Sequence, residues 1–379
     1  MLLEDRNLTN RGAARGSLAG TMNLETVRDQ LRGLAAKQAP MDMDRSVNQL
    51  HVDFTSAANG YVTVQTIEPN GLSAPMILSR NAYSQLAPEI LPPSGGGFLL
   101  KQAQTETGRK LATANWAYFA RTNEKPRKLR TVKATINGKV ETVVRSVHST
   151  EYAVFDNLQY VETLLKNTEL ANLPVVNFAL ADNAMRLRVA LRPQAEISLD
   201  RAVPMVEIWN SETGRRRTVF KGGTWKLVCT NGMGHWNAAQ EFAWRHFGDA
   251  GRIEAGIDDA MRNTETASSE VLAAYTKALD VSVDNVYGWL IDELTGMGVA
   301  DTTRMNVVKA LDHATTTPGR LLASTIDAVT LVAQDASNLF EQAELETVGA
   351  RLLDSGLRQA AGGRVIHARS TVIPNEIYA

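Results

Sequence analysis

The sequence predicts an α+β protein: a hairpin-rich antiparallel sheet with packed helices, followed by a helical C-terminal region. Three observations carry this prediction. Up to about residue 236, alternating or β-branched runs come in pairs around turn dipeptides. Beyond that point helical periodicity dominates. The strands precede the helices instead of alternating with them, which argues against a parallel α/β sheet. The expected organisation is an N-terminal arm over 1–20, polar and rich in Gly, Ala and Arg, a sheet domain over 21–250 and a helical region over 251–379. No repeat of fixed period is present.

The elements follow in chain order. Leu24, Val27, Leu31 and Leu34 lie on one helical stripe, with Asn23 placed to cap it. "YVTVQTI" at 61–67 reads as a strand and "SRNAYSQLAPEIL" as a short helix capped by Ser79. "PPSGGGF" at 92–98 reads as a loop, because consecutive Pro and Gly resist regular structure. "LRTVKATI" and "KVETVVRSV" flank Asn137-Gly138, the pair that accepts the positive φ angles of a type I′ turn. "FDNLQYVETLL" reads as a helix capped by Asp156 or Asn157. A second hairpin joins "VVNFAL" to "MRLRVAL" through Asp182-Asn183, with Arg186 and Arg188 alternating with apolar residues. "PMVEIWN" and "TWKLVCT" form a third pair. Strand signals then stop. "SEVLAAYTKAL", "DNVYGWLIDEL", "DTTRMNVVKAL" and a long segment over 319–354 read as helices. Ser269, Asp284 and Asp301 sit at cap positions, and Gly296 and Gly356 where helices end.

Composition bounds the function. The chain has 379 residues, 44% of them hydrophobic, which is enough for a substantial core. The one cysteine excludes an internal disulfide. No run of about 18 apolar residues predicts a membrane span, and the charged start does not read as a signal peptide. The expected location is the cytoplasm of a bacterial host cell. Net charge is −1, but the charge is segregated. Arg109 to Arg145 holds ten basic and two acidic residues, a net of +8. Residues 251–350 hold six basic and sixteen acidic residues, a net of −10.

Several chemistries are poorly supported. No Walker-type G-x-x-x-x-G-K-[ST] is present, so ATP hydrolysis is not expected. Cys229, His235 and His246 lack the spacing of a zinc site, and no metal or other cofactor is predicted. Cys229 with either histidine is an incomplete nucleophile pair; Ser149 beside His148 would point to the opposite face of a strand. In the structural reading of "WKLVCTNGMGHW", Cys229 is a small strand residue, Asn231-Gly232 turns the chain, and Trp236, Phe242 and Phe247 pack on a following helix. An enzyme is therefore not expected.

Contact with a polyanion is the best chemical signal. "NWAYFARTNEKPRKLRTVK" sets Trp116, Tyr118 and Phe119 ahead of Arg121, Lys125, Arg127, Lys128 and Arg130, and Arg145 continues the basic run. "GRRRTVFKGGTWK" adds Arg215, Arg216, Arg217 and Lys221. Binding single strands without regard to sequence needs cations for phosphates and π-faces for bases. In this reading Trp116 and Tyr118 stack on bases, the cations neutralise phosphates, and both stretches converge into one channel.

The blocks "VRSVHSTEYAVFDN" and "VEIWNSETGRRRTVFKGGTWKLVCTNGM" resemble the phage- and plasmid-borne family catalogued as domain of unknown function 932. "LSRNAYSQLAPEIL", "LATANW" and "LVAQDASNLFEQAELETVGARLL" fit it more loosely, so the resemblance spans about 60–355. Its pattern positions are Arg145, Ser149, Tyr152, Asp156, Asn157, Asn210, Ser211, Glu212, Gly214, Asn231 and Gly232. The resemblance implies a phage or plasmid gene and a distant similarity to single-strand annealing recombinases, which form rings or filaments without ATP. The expected function is ATP-independent single-stranded DNA binding, with annealing, in recombination, by a homo-oligomer. The alternative is a self-assembling interaction protein without nucleic acid, such as an inhibitor of host defence or a structural component.

Overall fold

The computed structural model describes residues 22–55, 61–166, 168–181, 184–192, 202–226, 233–248, 251–313, 321–336, 339–360 and 363–368. The predicted arm, the Asp182-Asn183 turn, Cys229 and Asn231-Gly232 lie outside them. The α+β class holds, with two main sheets in place of one.

Helix α1 (Leu24–Gln38) starts at Asn23, whose side chain accepts from the Thr26 amide. Sheet one combines β1 (Met41–Ser46), β2 (Leu50–Asp53), β3 (Thr63–Glu68), β4 (Gly71–Leu72), β5 (Met76–Leu78), β6 (Pro126–Ile136) and β7 (Lys139–His148). Its order is β1-β6-β7-β5-β3-β2, with β4 on β3. The β5–β7 pair is parallel, so this sheet is mixed where an antiparallel one was expected. The β6–β7 hairpin turns at Asn137 and Gly138, with φ of 51° and 80°, as the dipeptide predicts.

Three helices pack on sheet one: α2 (Arg80–Leu86), α3 (Gly95–Gln102) and α4 (Glu106–Ala120). Ser79 caps α2 as expected. The predicted loop at 92–98 is corrected, because α3 begins at Gly95. A Cβ on Gly96 would meet that of Ala87 at 3.0 Å, and Tyr83 donates to the Gly96 carbonyl at 2.8 Å. Close packing on α2 thus uses the glycines whose local propensity disfavours a helix.

Next come α5 (Asn157–Leu165) and α6 (Thr168–Ala171), then sheet two, ordered β12-β11-β10-β9-β8 and wholly antiparallel. Its strands are β8 (Val175–Ala181), β9 (Ala184–Ala190), β10 (Ala202–Asn210), β11 (Thr218–Lys226) and β12 (Met233–Trp244). Strand β12 corrects the expectation that strands end near 236. Its sequence, "MGHWNAAQEFAW", lacks clean alternation, and pairing with β11 supplies what local propensity does not. Phe242 is accordingly a strand residue packed at the edge of the sheet core, and Phe247 is exposed.

Helix α7 (Gly251–Ala278) lies on the same face of sheet two as α1 and α5, and its Ile257 and Ala260 join the core of that face. The predicted boundary at 250 therefore falls inside one packing unit. Ser269 is interior to α7 and not its cap.

The chain ends in β13 (Ser282–Val283), α8 (Val286–Gly296), α9 (Asp301–His313), α10 (Leu322–Gln334), α11 (Leu339–Ala360) and β14 (Val365–Ile366). The expected single helix over 319–354 is two, α10 and α11, and Gly356 is inside the second. Asn285, not Asp284, caps α8. Three large apolar clusters result: under the helices of sheet one, between sheet two and α1, α5 and α7, and within the C-terminal helices.

Candidate nucleic-acid interface

Helix α4 sorts the predicted aromatic residues. Ala112, Trp116 and Ala120 recur every four residues and face the core, so Trp116 is fully buried beside Phe54 and Tyr83. Its assignment as a base-stacking residue is corrected, because a sealed indole has no face to offer. Tyr118 and Phe119 point outward and are 57% and 45% exposed. Their rings meet edge to face at 5.4 Å, and the Arg121 guanidinium lies 4.3 Å from the Tyr118 ring centre. This cation–π ledge keeps two ring faces in water.

The cations of the +8 segment divide differently. Arg127 is buried and pairs with Glu89 at 2.6 Å, and the exposed Lys125 reaches the same carboxylate at 2.9 Å. Arg130 is buried between Asp42 and Asp156, at 2.9 and 2.7 Å. Arg145 pairs with Glu212 at 2.9 Å, and half-buried Lys128 donates to the Tyr152 carbonyl. The phosphate-neutralising role predicted for Arg127, Arg130 and Arg145 is corrected: a carboxylate already occupies each, and Arg127 and Arg130 are buried as well. Burial lowers the Arg130 pKa, but Asp156 and Asp42 outweigh it and hold the guanidinium above its usual value.

The two basic stretches do converge. Arg130 donates to the Glu212 carbonyl, Arg145 binds its carboxylate, and Arg215 donates to the Asn81 side chain at 2.6 Å. What they build is a buried polar junction between the sheets. Glu212 accepts from the Asn157 amide at 2.8 Å, Asn210 donates to Asn157 and the Phe155 carbonyl, and Tyr152 donates to the Ser211 carbonyl. Burial raises the Glu212 pKa, but Arg145, the Asn157 amide and Arg130 hold it below the usual range. His148, Tyr152 and His246 stack with ring centres 3.8 and 5.2 Å apart. Burial, then Arg130, His246 and Lys128, lower His148 to about 3, so it is neutral at pH 7. Gly214 closes against this stack at φ 70°, where a Cβ would lie 2.6 Å from His148. Eight of the eleven pattern positions named from sequence fall in or beside this junction, where they serve as structural ties.

Arg217 is exposed, and half-buried Arg216 stacks on Trp209 at 4.1 Å. Lys221 faces Glu207 across the β10–β11 pair. Sequence reasoning left out Arg186 and Arg188, which lie on that same face of sheet two against α11. Arg188 pairs with Glu207 at 2.8 Å and also with Glu346 of α11. The signal available was their alternation with Met185, Leu187 and Val189, which sets both arginines on one strand face.

Among the described residues no group of three or more His, Cys, Asp or Glu is arranged to hold a metal ion, and no helix is long and apolar enough to cross a membrane. His246 accepts or donates within a buried set with Thr218 and the Ala153 carbonyl. In comparisons with known proteins, no family model, no curated protein and no solved structure matches this chain.

Proposed function

We propose that this protein binds single-stranded nucleic acid without ATP, using the α4 ledge in place of the broad channel the sequence implies. The observation that carries the reading is the exposed Tyr118–Phe119 pair with Arg121 over the tyrosine ring. Stacking is tolerant of base identity and worth about 1–3 kcal/mol per base. Lys110, Lys133, Lys139 and Arg217 are exposed cations elsewhere on the surface, suited to weak, salt-sensitive phosphate contact. A role in annealing or recombination on a phage or plasmid rests on the resemblance of the two central blocks.

The second reading is self-assembly without nucleic acid. It is favoured by Phe98 and Leu111, 60% and 50% exposed, which add apolar surface on α3 and α4. One experiment separates the two. Fluorescence anisotropy of a labelled oligothymidine at two salt concentrations should show binding that weakens with salt. The Tyr118→Ala/Phe119→Ala variant should lose about tenfold or more in affinity. Absence of binding at low salt, with large assemblies in light scattering that the same variant dissolves, would establish the second reading instead.

A further inference from the structure

Sheet two has two unlike faces. One carries Met185, Leu187, Val189, Val206 and Ile208 into the apolar core under α1, α5 and α7. The other carries Arg186 and Arg188 from β9, Glu207 and Trp209 from β10 and Lys221 from β11, in register across the three strands. Arg216 lies over the Trp209 ring from the adjoining turn, and Arg186 is 5.6 Å from the same ring centre. Four cations, the Glu207 carboxylate and an indole on these three strands, with Glu241 of β12 paired opposite Lys221, form the surface that single-strand binding calls for.

That face is covered by α11. The helix presents Gln342, Ala343, Glu346 and Ala350, one stripe at helical spacing, toward the sheet. Glu346 is 1% exposed and reaches Arg188 directly and Arg186 at 3.8 Å. Gln342 accepts from Arg186 at 2.7 Å. The apolar contribution is small: Ala343 packs near Trp209 and Ala184, and Ala350 near Ala190 and Met205. Among the described side chains of α11, Leu352, Leu353 and Leu357 belong to the C-terminal bundle instead. Moreover, Arg186 is 1% exposed, yet its Nε and Nη1 have no hydrogen-bond partner among the described residues. A guanidinium buried with two donors unused is poorly served by the docked helix.

We propose that α11 is an internal polyanion mimic. Its Glu346 and Gln342 occupy a second binding face for single-stranded nucleic acid, made of Arg186, Arg188, Trp209, Arg216 and Lys221, and the helix must lift with its bundle before that face binds. With Glu346 removed, the described cations of this face, Arg186, Arg188, Arg216 and Lys221, outnumber the carboxylates of Glu207 and of Glu241, which pairs with Lys221 across the β11–β12 register. This inference rests on the protein being a nucleic-acid binder but uses no residue of the α4 ledge.

The test is made on the full chain in a Tyr118→Ala/Phe119→Ala background. Glu346→Lys places a cation against Arg186 and Arg188 and should expel α11, read as faster hydrogen exchange over 339–360. Oligothymidine binding should then tighten at least tenfold over the background, with a salt slope steeper by about two counterions. Adding Arg216→Gln/Lys221→Gln, which keeps Arg186 and Arg188 against the new cation, should leave the helix open and abolish most of the gain. If Glu346→Lys does not yield folded protein, Glu346→Gln, similar in shape and uncharged, reads the same change at smaller size. An opened helix with unchanged affinity overturns the proposal, and so does an α11 that stays protected. Tightening in a background that by itself binds as well as the unmodified chain would sink the ledge and keep the mimic.

Discussion

Trp116 and Tyr118 stand two residues apart and have opposite fates. On a helix that separation is about 200°, so one ring enters the core while the other meets water. The same sorting governs the cations. Arg121 rests on a ring in solvent, whereas Arg130, nine residues on, is locked between Asp42 and Asp156. Buried charge is tolerable only when paired, so each arginine drawn inside needed a carboxylate beside it. His148 shows the reverse case, a base kept neutral by burial. Its folded value of about 3 lies below the usual 6.5. Between those values the unfolded chain binds a proton that the folded chain does not, so stability falls as pH falls. His246 is lowered in the same direction, burial being the leading cause. Urea midpoints should therefore drop from pH 7.5 to pH 5, and His148→Gln should flatten that dependence. Equal slopes for the two proteins would refute this account.

At the scale of elements, local signals were legible where a single residue dictates the backbone. Asn137-Gly138 defined its turn, and Asn23 and Ser79 defined their caps. The signals failed where packing overrides propensity. Helix α3 runs through glycines, and at Gly96 a Cβ would meet that of Ala87, just past α2, at 3.0 Å; β12 forms because β11 offers an unpaired edge. Gly222 is the clearest such case. A Cβ there would sit 2.7 Å from Ala267 and 2.9 Å from the Thr264 carbonyl, and Ser268 bonds the neighbouring Gly223 amide and the Met205 carbonyl. Helix α7 thus lies directly on the strand backbone. Gly222→Val should prise it off and cost more than about 2 kcal/mol, with a lower melting temperature as the readout. Gly33→Val, inside α1 at a position with nothing near its Cβ, should leave the melting temperature unchanged or slightly raised, because valine is the better helix former.

For the whole molecule, Arg127, Arg130 and Arg145 of the basic segment find their carboxylates inside the chain, at Glu89, Asp42, Asp156 and Glu212. From the acidic helical region, Glu346 closes on Arg188 of the same chain. The three large apolar clusters share few large side chains, and the C-terminal bundle meets sheet two through the charged layer and small residues. Unfolding should therefore depart from two-state behaviour, with the bundle melting apart from the sheets and a calorimetric enthalpy above the van't Hoff value. A single transition with matching enthalpies would show the charged layer to be as cohesive as a core.

The sequence alone determined the α+β class, two hairpin pairs and the caps at Asn23 and Ser79, because turn dipeptides, alternation and capping act over a few residues; the third pair forms with its second strand at 218–226 in place of 224–230, and Asp301 begins α9 in place of capping it. It also determined that two basic stretches exist. Only the tertiary structure decided what those stretches do. Whether an arginine faces phosphate or carboxylate depends on which strand is brought beside it, and Asp42, Asp156 and Glu212 lie far away in the chain from the cations they neutralise. The partner of a charge is a long-range property, set by the packing of the sheets and helices.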